Sequence, residues 1–379
     1  MAMARSQSAT SDVLTVFLCG DVMLGRGIDQ VLPHPGAPAL REHHMRDARD
    51  YVGLAEAVNG AIDHPVDWSW PWGDALPMLE SVGCDVRIVN LETSITTSDD
   101  FAPRKGVHYR MHPTNLPALE IARPDVCVLA NNHVLDFGHR GFLETLDVLS
   151  AAGLRTAGAG RFLGQAQAPG IVALPRTGGR VIVYAFGTPS SGIPVDWVAT
   201  GSDPGICLLP KLSAAEADQL TDRARRLRQP GDLLIASVHW GSNWGYDVEP
   251  DQVRFAHRLI EGGFDIVHGH SSHHPRPVEV YRGKLILYGC GDLIDDYEGI
   301  RGYEQYRDDL RLVYLADVEA TSGQLLRLRL MPFQARQLRL HRAPTKDAEW
   351  LQAVLDKVSR PFGTRIALDP DSVLTVRSQ

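Results

Sequence analysis

Short apolar runs that stop abruptly at an acid, an amide or an imidazole recur along this chain, and few folds accommodate such a pattern. The clearest begins at Asp125, stays apolar to Ala130 and breaks into Asn131-Asn132-His133, with Asp136 three residues further on. A short apolar run bounded by polar residues reads as a buried strand. Its polar group then lies where the strand leaves the sheet, and in open α/β sheets that carboxyl end is where ligands bind. Asn132 offers a neutral oxygen, His133 a group that titrates near neutrality, and Asp136 a carboxylate able to fix the tautomer of the imidazole. Alone, the stretch reads equally well as an Asn/Asp-rich turn capping a helix from about Gly141.

Its recurrence favours function. Val13 to Cys19 runs into Gly20-Asp21 and then Arg26, and Asp85 to Val89 runs into Asn90-Leu91-Glu92. Asp232 to Val238 ends at His239-Trp240, with Trp244 and Tyr246 close behind, and Phe264 to Val267 ends at His268-Gly269-His270-Ser271-Ser272-His273-His274. Five strand tips thus deliver Asp21, Asn90 and Glu92, Asn132 and His133, His239, and His270 and His273. Carboxylate, amide oxygen and imidazole together suit a borderline or hard divalent cation, and the lack of thiolate argues against a structural zinc.

The remaining sequence supplies the frame. Helices are expected over Arg41 to Asn59, near Pro113 to Ile121, and over Gly141 to Ala152, Ser213 to Arg228 and Lys346 to Val358. A hairpin is expected around Arg282-Gly283, and β-like alternation from Arg311 to Leu340. Trp68, Trp70 and Trp72 alternate in a Pro-bearing loop that either buries a lid or grips a ligand. His43 and His44 lack the spacing to share a helix face and read as surface residues. The acidic run Asp292, Asp295, Asp296 and Glu298, in a loop reaching to Asp309, reads as a solvated loop before it reads as a site for a cation or a basic leader peptide.

A formal net charge of -8 with no basic block excludes a nucleic-acid surface. No apolar run is long enough for a signal h-region or a membrane span, so a cytoplasmic enzyme without a membrane partner is expected. Five scattered cysteines fit buried thiols in a reducing compartment. The expected organisation is a disordered stretch over 1–12, a catalytic domain over 13–320, and C-terminal strands and a closing helix over 321–379 packed on that same domain.

The ordered motifs GDVMLGRG, NLET, ANNHVLD, HWG and GHSSHH, followed by PVEVYRGKLILYGCGD, resemble the CapA (poly-γ-glutamate capsule) family, a branch of the calcineurin-like metallophosphoesterase fold. The resemblance implies a four-layer α/β/β/α sandwich with a metal centre at the strand tips. Carried over by position, it implies that Asp21, Glu92, Asn132, His239, His270 and His273 hold one or two divalent ions (Ca, Mn, Mg or Zn). It also implies that His133 is the acid/base imidazole and Asp136 its partner. Two departures count against a two-metal phosphatase. Met23 stands where metallophosphoesterases carry a histidine, and Asn90-Leu91-Glu92 replaces their Gly-Asp. The chain is also similar to some cytoplasmic members of this branch that act on ribosomal peptides, including lasso-peptide precursors whose C-terminal residue is epimerised. The leading expectation is therefore a metal-dependent peptide epimerase in which His133 with Asp136, and His270 with Asp21, work on opposite faces of a Cα. Arg26, Trp240, Trp244 and Tyr246 are the expected contacts to a peptide substrate. The alternatives are a hydrolase of phosphoester or γ-glutamyl amide bonds and a non-catalytic module that binds an envelope polymer.

Overall fold

A computed structural model describes residues 13–377; the stretch 1–12, expected to be disordered, lies outside the described residues. Two sheets dominate. Along Val13–Val22, Leu14, Val16 and Leu18 face one core while Phe17 and Cys19 face another. This is the period of two imposed on a strand covered on both sides. Arg180–Gly187 repeats it, with Val181, Val183 and Ala185 on the shared core and Ile182, Tyr184 and Phe186 facing the opposite way.

The first sheet has ten strands, with Val13–Val22 at its centre between Leu310–Glu319 and Val86–Leu91; Val126–Val128 and Arg155–Ala157 follow outward. The second has six, with Leu233–His239 and Ile266–His270 in the middle. Between them lies one apolar core, in which each fully buried Leu, Ile or Phe adds about 1.5–3 kcal/mol. Helix Gly138–Ala151 covers the outer face of the first sheet through Phe142 and Leu149. Helices Ala214–Leu227 and Pro250–Gly262 cover the outer face of the second through Leu220, Phe255 and Leu259. The layers run α/β/β/α, the calcineurin-like sandwich that the resemblance implies.

Register brings the polar tips together. Asp21 lies beside Asn90 in the first sheet, and His239 beside His270 in the second. The His268 Nε2–H spans the two sheets to the Cys19 carbonyl at 2.7 Å. Gly20 is required here, since a Cβ would stand 1.5 Å from the Gly291 carbonyl oxygen. That close approach of two backbones sets Asp21 beside Asp292 across a short parallel pairing.

Several elements differ from expectation. The helix expected from Arg41 begins at Arg49. Pro113 to Ile121 divides into a 3-10 turn, Pro113–Asn115, and one helical turn, Pro117–Glu120, because prolines sit at both starts. Trp72 is buried with its indole N–H on the Ala118 carbonyl, and Trp70 donates to Gln337, so this loop is anchored to the body. Beyond the closing helix Thr345–Ser359, the strands Arg365–Leu368 and Leu374–Arg377 extend the ten-stranded sheet through Leu325–Arg336. Among the described residues, no helix is long and apolar enough to cross a membrane.

Candidate metal centre and its cleft

Among the described residues, two groups of side chains could each hold a cation, and they share one carboxylate. Asp21, His239 and His270 form the first, and Asp21, His273 and Asp292 the second; within each group the ligand atoms lie within 4.8 Å of one another. The sharing follows from topology. Asp21 ends the central strand of the first sheet, His239 and His270 end the central pair of the second, and Asp292 lies beside Asp21 across the glycine contact.

Hydrogen bonds fix the protons in the first group. The His268 Nε2–H is given to Cys19, so its Nδ1 accepts from the Ser237 hydroxyl at 3.0 Å. Ser237 Oγ is then free to accept the Nε2–H of His270 at 2.9 Å, which leaves His270 Nδ1 a bare lone pair. The His239 Nε2–H goes to Asn132 Oδ1 at 2.9 Å, leaving His239 Nδ1 bare as well. The two bare nitrogens face each other at 2.8 Å, and Asp21 Oδ1 lies 3.9 Å from His270 Nδ1. Asn90 Nδ2 holds Asp21 Oδ1 at 2.7 Å, whereas Asp21 Oδ2 is buried without a partner. Opposed lone pairs beside an orphaned carboxylate oxygen are what a bound cation would satisfy, so these residues fit a divalent metal.

Electrostatics point the same way. Burial pushes the Asp21 carboxyl above its usual range, Asp292 nearby adding to the push, and burial with Asp21 does the same to Glu92. Burial holds His239 and His270 well below theirs, in the neutral form that ligates metals. Burial opposes charging of His273, but the Asp292 carboxylate outweighs it and raises the imidazole.

Beside the cluster lies a cleft of about 240 Å3, lined among others by Glu92, Lys105, His133 and Asn243. Glu92 Oε1 stands 3.8 Å from both His133 Nε2 and His239 Nε2, close to the cluster but outside both groups. His133 is held on its far side, its Nδ1 lying 2.7 Å from Asp136 Oδ2 and its ring stacked on Tyr109 at 3.7 Å. Burial pushes Asp136 up to about 6 against the pull of Lys105. Burial also holds His133 low, with Lys105 and Arg26 adding to it, so the imidazole enters the cleft neutral.

The structure corrects several expected roles. Trp240 is buried and gives its indole N–H to the Tyr288 carbonyl at 2.9 Å, which makes it core and not a substrate contact. Tyr246 packs edge-on against His274 behind the cleft; Trp244 does face solvent beside His273, stacked on Tyr303 at 4.0 Å. Arg26 lines the cleft's extension but is buried and bonded to Asp296 and Glu42. His270 is fully buried, its Nε2–H held by Ser237 and its bare Nδ1 turned into the ligand cluster and not toward the cleft, so it does not reach a substrate there. The acidic run is not a solvated loop: Asp292, Asp295 and Asp296 are all buried, Asp292 on His273, Asp295 on Arg311 and Asp296 on Arg26. Lys105, absent from the expected set, bonds Asp136 and the Asn132 carbonyl and lies against His133 Nδ1, from a polar segment without strand or helix periodicity.

Comparison with known proteins adds relatives to this geometry. Residues 15–297 match the family described as "Bacterial capsule synthesis protein PGA_cap". A probable polyglutamine synthesis accessory protein of Mycobacterium tuberculosis is 53% identical over 368 residues, covering 96% of each chain. The PGA biosynthesis protein CapA of Bacillus subtilis is 24% identical, covering 82% of this chain and 70% of its own. Among solved structures, the sulfate thiohydrolase SoxB of Thermus thermophilus has a TM-score of 0.45 at 13% identity, covering 92% of this chain and 60% of that one.

Proposed function

This chain belongs to the bacterial capsule synthesis protein PGA_cap family, and from that membership we propose that it is a metal-dependent hydrolase of γ-glutamyl amide bonds in a polyglutamate-type polymer. The observation that carries this reading is one neutral imidazole, His133, facing a cleft that abuts a metal-ready cluster. The names of the relatives, polyglutamine synthesis and PGA biosynthesis, supply the polymer class.

A divalent ion at Asp21, His239 and His270, or at Asp21, His273 and Asp292, would supply Lewis acidity toward a substrate carbonyl or a water. The chain's own residues manage the protons. His133 Nε2 faces the cleft and takes a proton from the attacking water as the carbonyl carbon gains its new C–O bond. The same nitrogen then gives that proton to the leaving amine as the C–N bond breaks. Asp136 keeps the ring oriented, and Lys105 offsets the buried Asp136 charge. Tyr109 stacks on the ring and holds its plane.

The peptide epimerase expectation gives way on the same geometry. Exchange at a Cα through two faces needs two proton-transferring groups, and the second one expected, His270 with Asp21, is locked in the ligand network. The test is mass spectrometry of γ-linked glutamyl and isoglutaminyl oligomers incubated with the protein and Mn2+ or Zn2+ in deuterated water. Cleavage with uptake of one water per cut is expected. Deuterium at a Cα without cleavage would restore the epimerase, and phosphate release from a phosphoester with no amide cleavage would replace the amide bond by the phosphoester.

A further inference from the structure

The cleft beside the ligand cluster continues past Tyr109, Asn243 and Tyr297 into a second pocket of about 190 Å3, walled by the aromatic rings of Tyr51, Trp244 and Tyr303. Its charges are arranged unusually for a protein whose polymer could be a polyanion. Apart from the ligand His273, two cations among the described residues line the two pockets, Lys105 and Arg26, and both are spent on the chain itself. Lys105 gives one donor to the Asn132 carbonyl and one to Asp136, and its ammonium lies 2.9 Å from His133 Nδ1, whose own proton goes to Asp136. Arg26 gives Nε and Nη2 to Asp296 and Nη1 to Glu42, and its planar face is covered by Tyr51 at 3.6 Å. Each cation is thus matched or outnumbered by carboxylates, and Asp308 adds another on the pocket wall.

The polar handles left over carry no charge. The Tyr109 and Tyr297 hydroxyls bond to each other, so one O–H remains to donate and both oxygens can still accept. Asn243 gives Nδ2 to His273, which leaves its carbonyl oxygen toward the cleft. A primary carboxamide, one acceptor and two donors on a flat uncharged group, pairs with this set and slides between aromatic faces. A free carboxylate would meet like charge with, among the described residues, no unpaired Lys or Arg lining the pockets to offset it, the usual means by which a site rejects a wrong partner.

We propose that this aromatic pocket is a subsite for an uncharged, carboxamide-bearing residue of the γ-linked polymer and that it selects that residue over its free-acid counterpart. The proposal rests on the amide-hydrolase reading for its polymer, but binding tests it without turnover.

Isothermal titration of the protein with length-matched γ-linked oligomers of isoglutamine, which carries an α-carboxamide, and of glutamate, which carries a free α-carboxylate, before and after EDTA treatment, reads the preference directly. EDTA removes metal coordination of the oligomer's own carboxylates. The carboxamide oligomer is expected to bind about tenfold tighter or more, because selection against a like-charged group acts through desolvated repulsion. Asp308→Asn, a change at a partly exposed residue, is expected to strengthen the acid oligomer several-fold and leave the carboxamide oligomer unmoved. Tyr297→Phe is expected to weaken only the carboxamide oligomer. Equal or tighter binding of the acid oligomer to the EDTA-treated protein, or no binding of either at millimolar concentration, overturns the subsite. Cleavage followed in parallel separates the two ideas: a preferred carboxamide oligomer that binds and is never cut removes the hydrolase and leaves the subsite. Faster cutting and tighter binding of the acid oligomer does the reverse.

Discussion

His273 Nδ1 lies 3.1 Å from each carboxylate oxygen of Asp292, and Asp292 in turn is set beside Asp21 by the contact of Gly20 with Gly291. The strand Val13–Val22 and a segment 271 residues further along the chain (Asp21 to Asp292) thus build one ligand set, with Asp21 common to both halves.

Metal content should follow that sharing. Asp21→Asn is expected to lower affinity in both groups, and by more than the roughly 10–100-fold typical of changes behind the ligands. Asp292→Asn should spare the group of His239 and His270, and His239→Ala the group of His273 and Asp292. Titration with Mn2+ and Zn2+, with the bound metal counted by mass spectrometry, reads this directly. An Asp21→Asn protein that retains its full metal would remove Asp21 from the ligand set.

His133 touches the cleft with one nitrogen and the structure with the other. Its replacement by Ala should lower amide cleavage by about 10²–10⁴-fold, the usual worth of a positioned acid/base group. Far-UV circular dichroism should not change, since the ring lies at the cleft wall. Lys105→Met is expected to behave differently. It leaves the buried Asp136 without its cation, and breaking a buried pair from one side costs about 3–5 kcal/mol. Denaturant unfolding of the two variants separates the roles, and equal stability of Lys105→Met and the native protein would show that Asp136 does not depend on it.

Much of this site was legible in the sequence, and the reasons for the rest are specific. Strand tips announce themselves because a buried strand must be apolar and its functional end must not be. Asp21, His239 and His270 were visible for that reason. Asp292 obeys the same rule, Gly291-Asp292 repeating Gly20-Asp21 after an apolar run, but the acids following it suggested a solvated loop. The burial of those acids depends on Arg311 and Arg26, which are 16 and 270 residues away from Asp295 and Asp296, a pairing that no local pattern encodes. Lys105 was hidden for the same reason, since an aperiodic polar segment looks like a surface loop until its partners are known. Trp240 misled in the opposite direction: it directly follows a ligand, but alternation turns its side chain to the outer face of the sheet, among Phe255 and Tyr288.

That alternation gives a contrast between two tryptophans four residues apart. Trp240→Ala should cost about 3–5 kcal/mol, the usual penalty for emptying a large buried aromatic site. Trp244→Ala loses partial burial and the Tyr303 stack, about 1–2 kcal/mol, while weakening oligomer binding at the aromatic pocket. Thermal unfolding and oligomer titration of both proteins check the pair. A stable Trp240→Ala protein with impaired binding would return Trp240 to the substrate.

Away from the cleft, Asp356 ties the closing helix to the added edge strand. Its Oδ1 accepts from Arg365 Nε and from the Ile366 backbone N–H, both at 2.9 Å, and its Oδ2 from Arg360 Nη2 at 2.6 Å. Arg365 foremost, then the Ile366 amide and Arg360, hold the carboxyl well below the usual carboxylate range although burial works against them. A carboxyl depressed in the folded state stabilises fully above its unfolded value of about 3.9, and that contribution is lost as pH falls through the folded value. Asp356→Asn lacks this contribution at every pH. The gap in melting temperature between native and variant proteins should therefore be widest near neutrality and narrow as the buffer is taken from about pH 5 toward pH 2. A gap that stays constant over that range would mean that the Asp356 contacts act as neutral hydrogen bonds and that its charge contributes nothing to holding the edge strand.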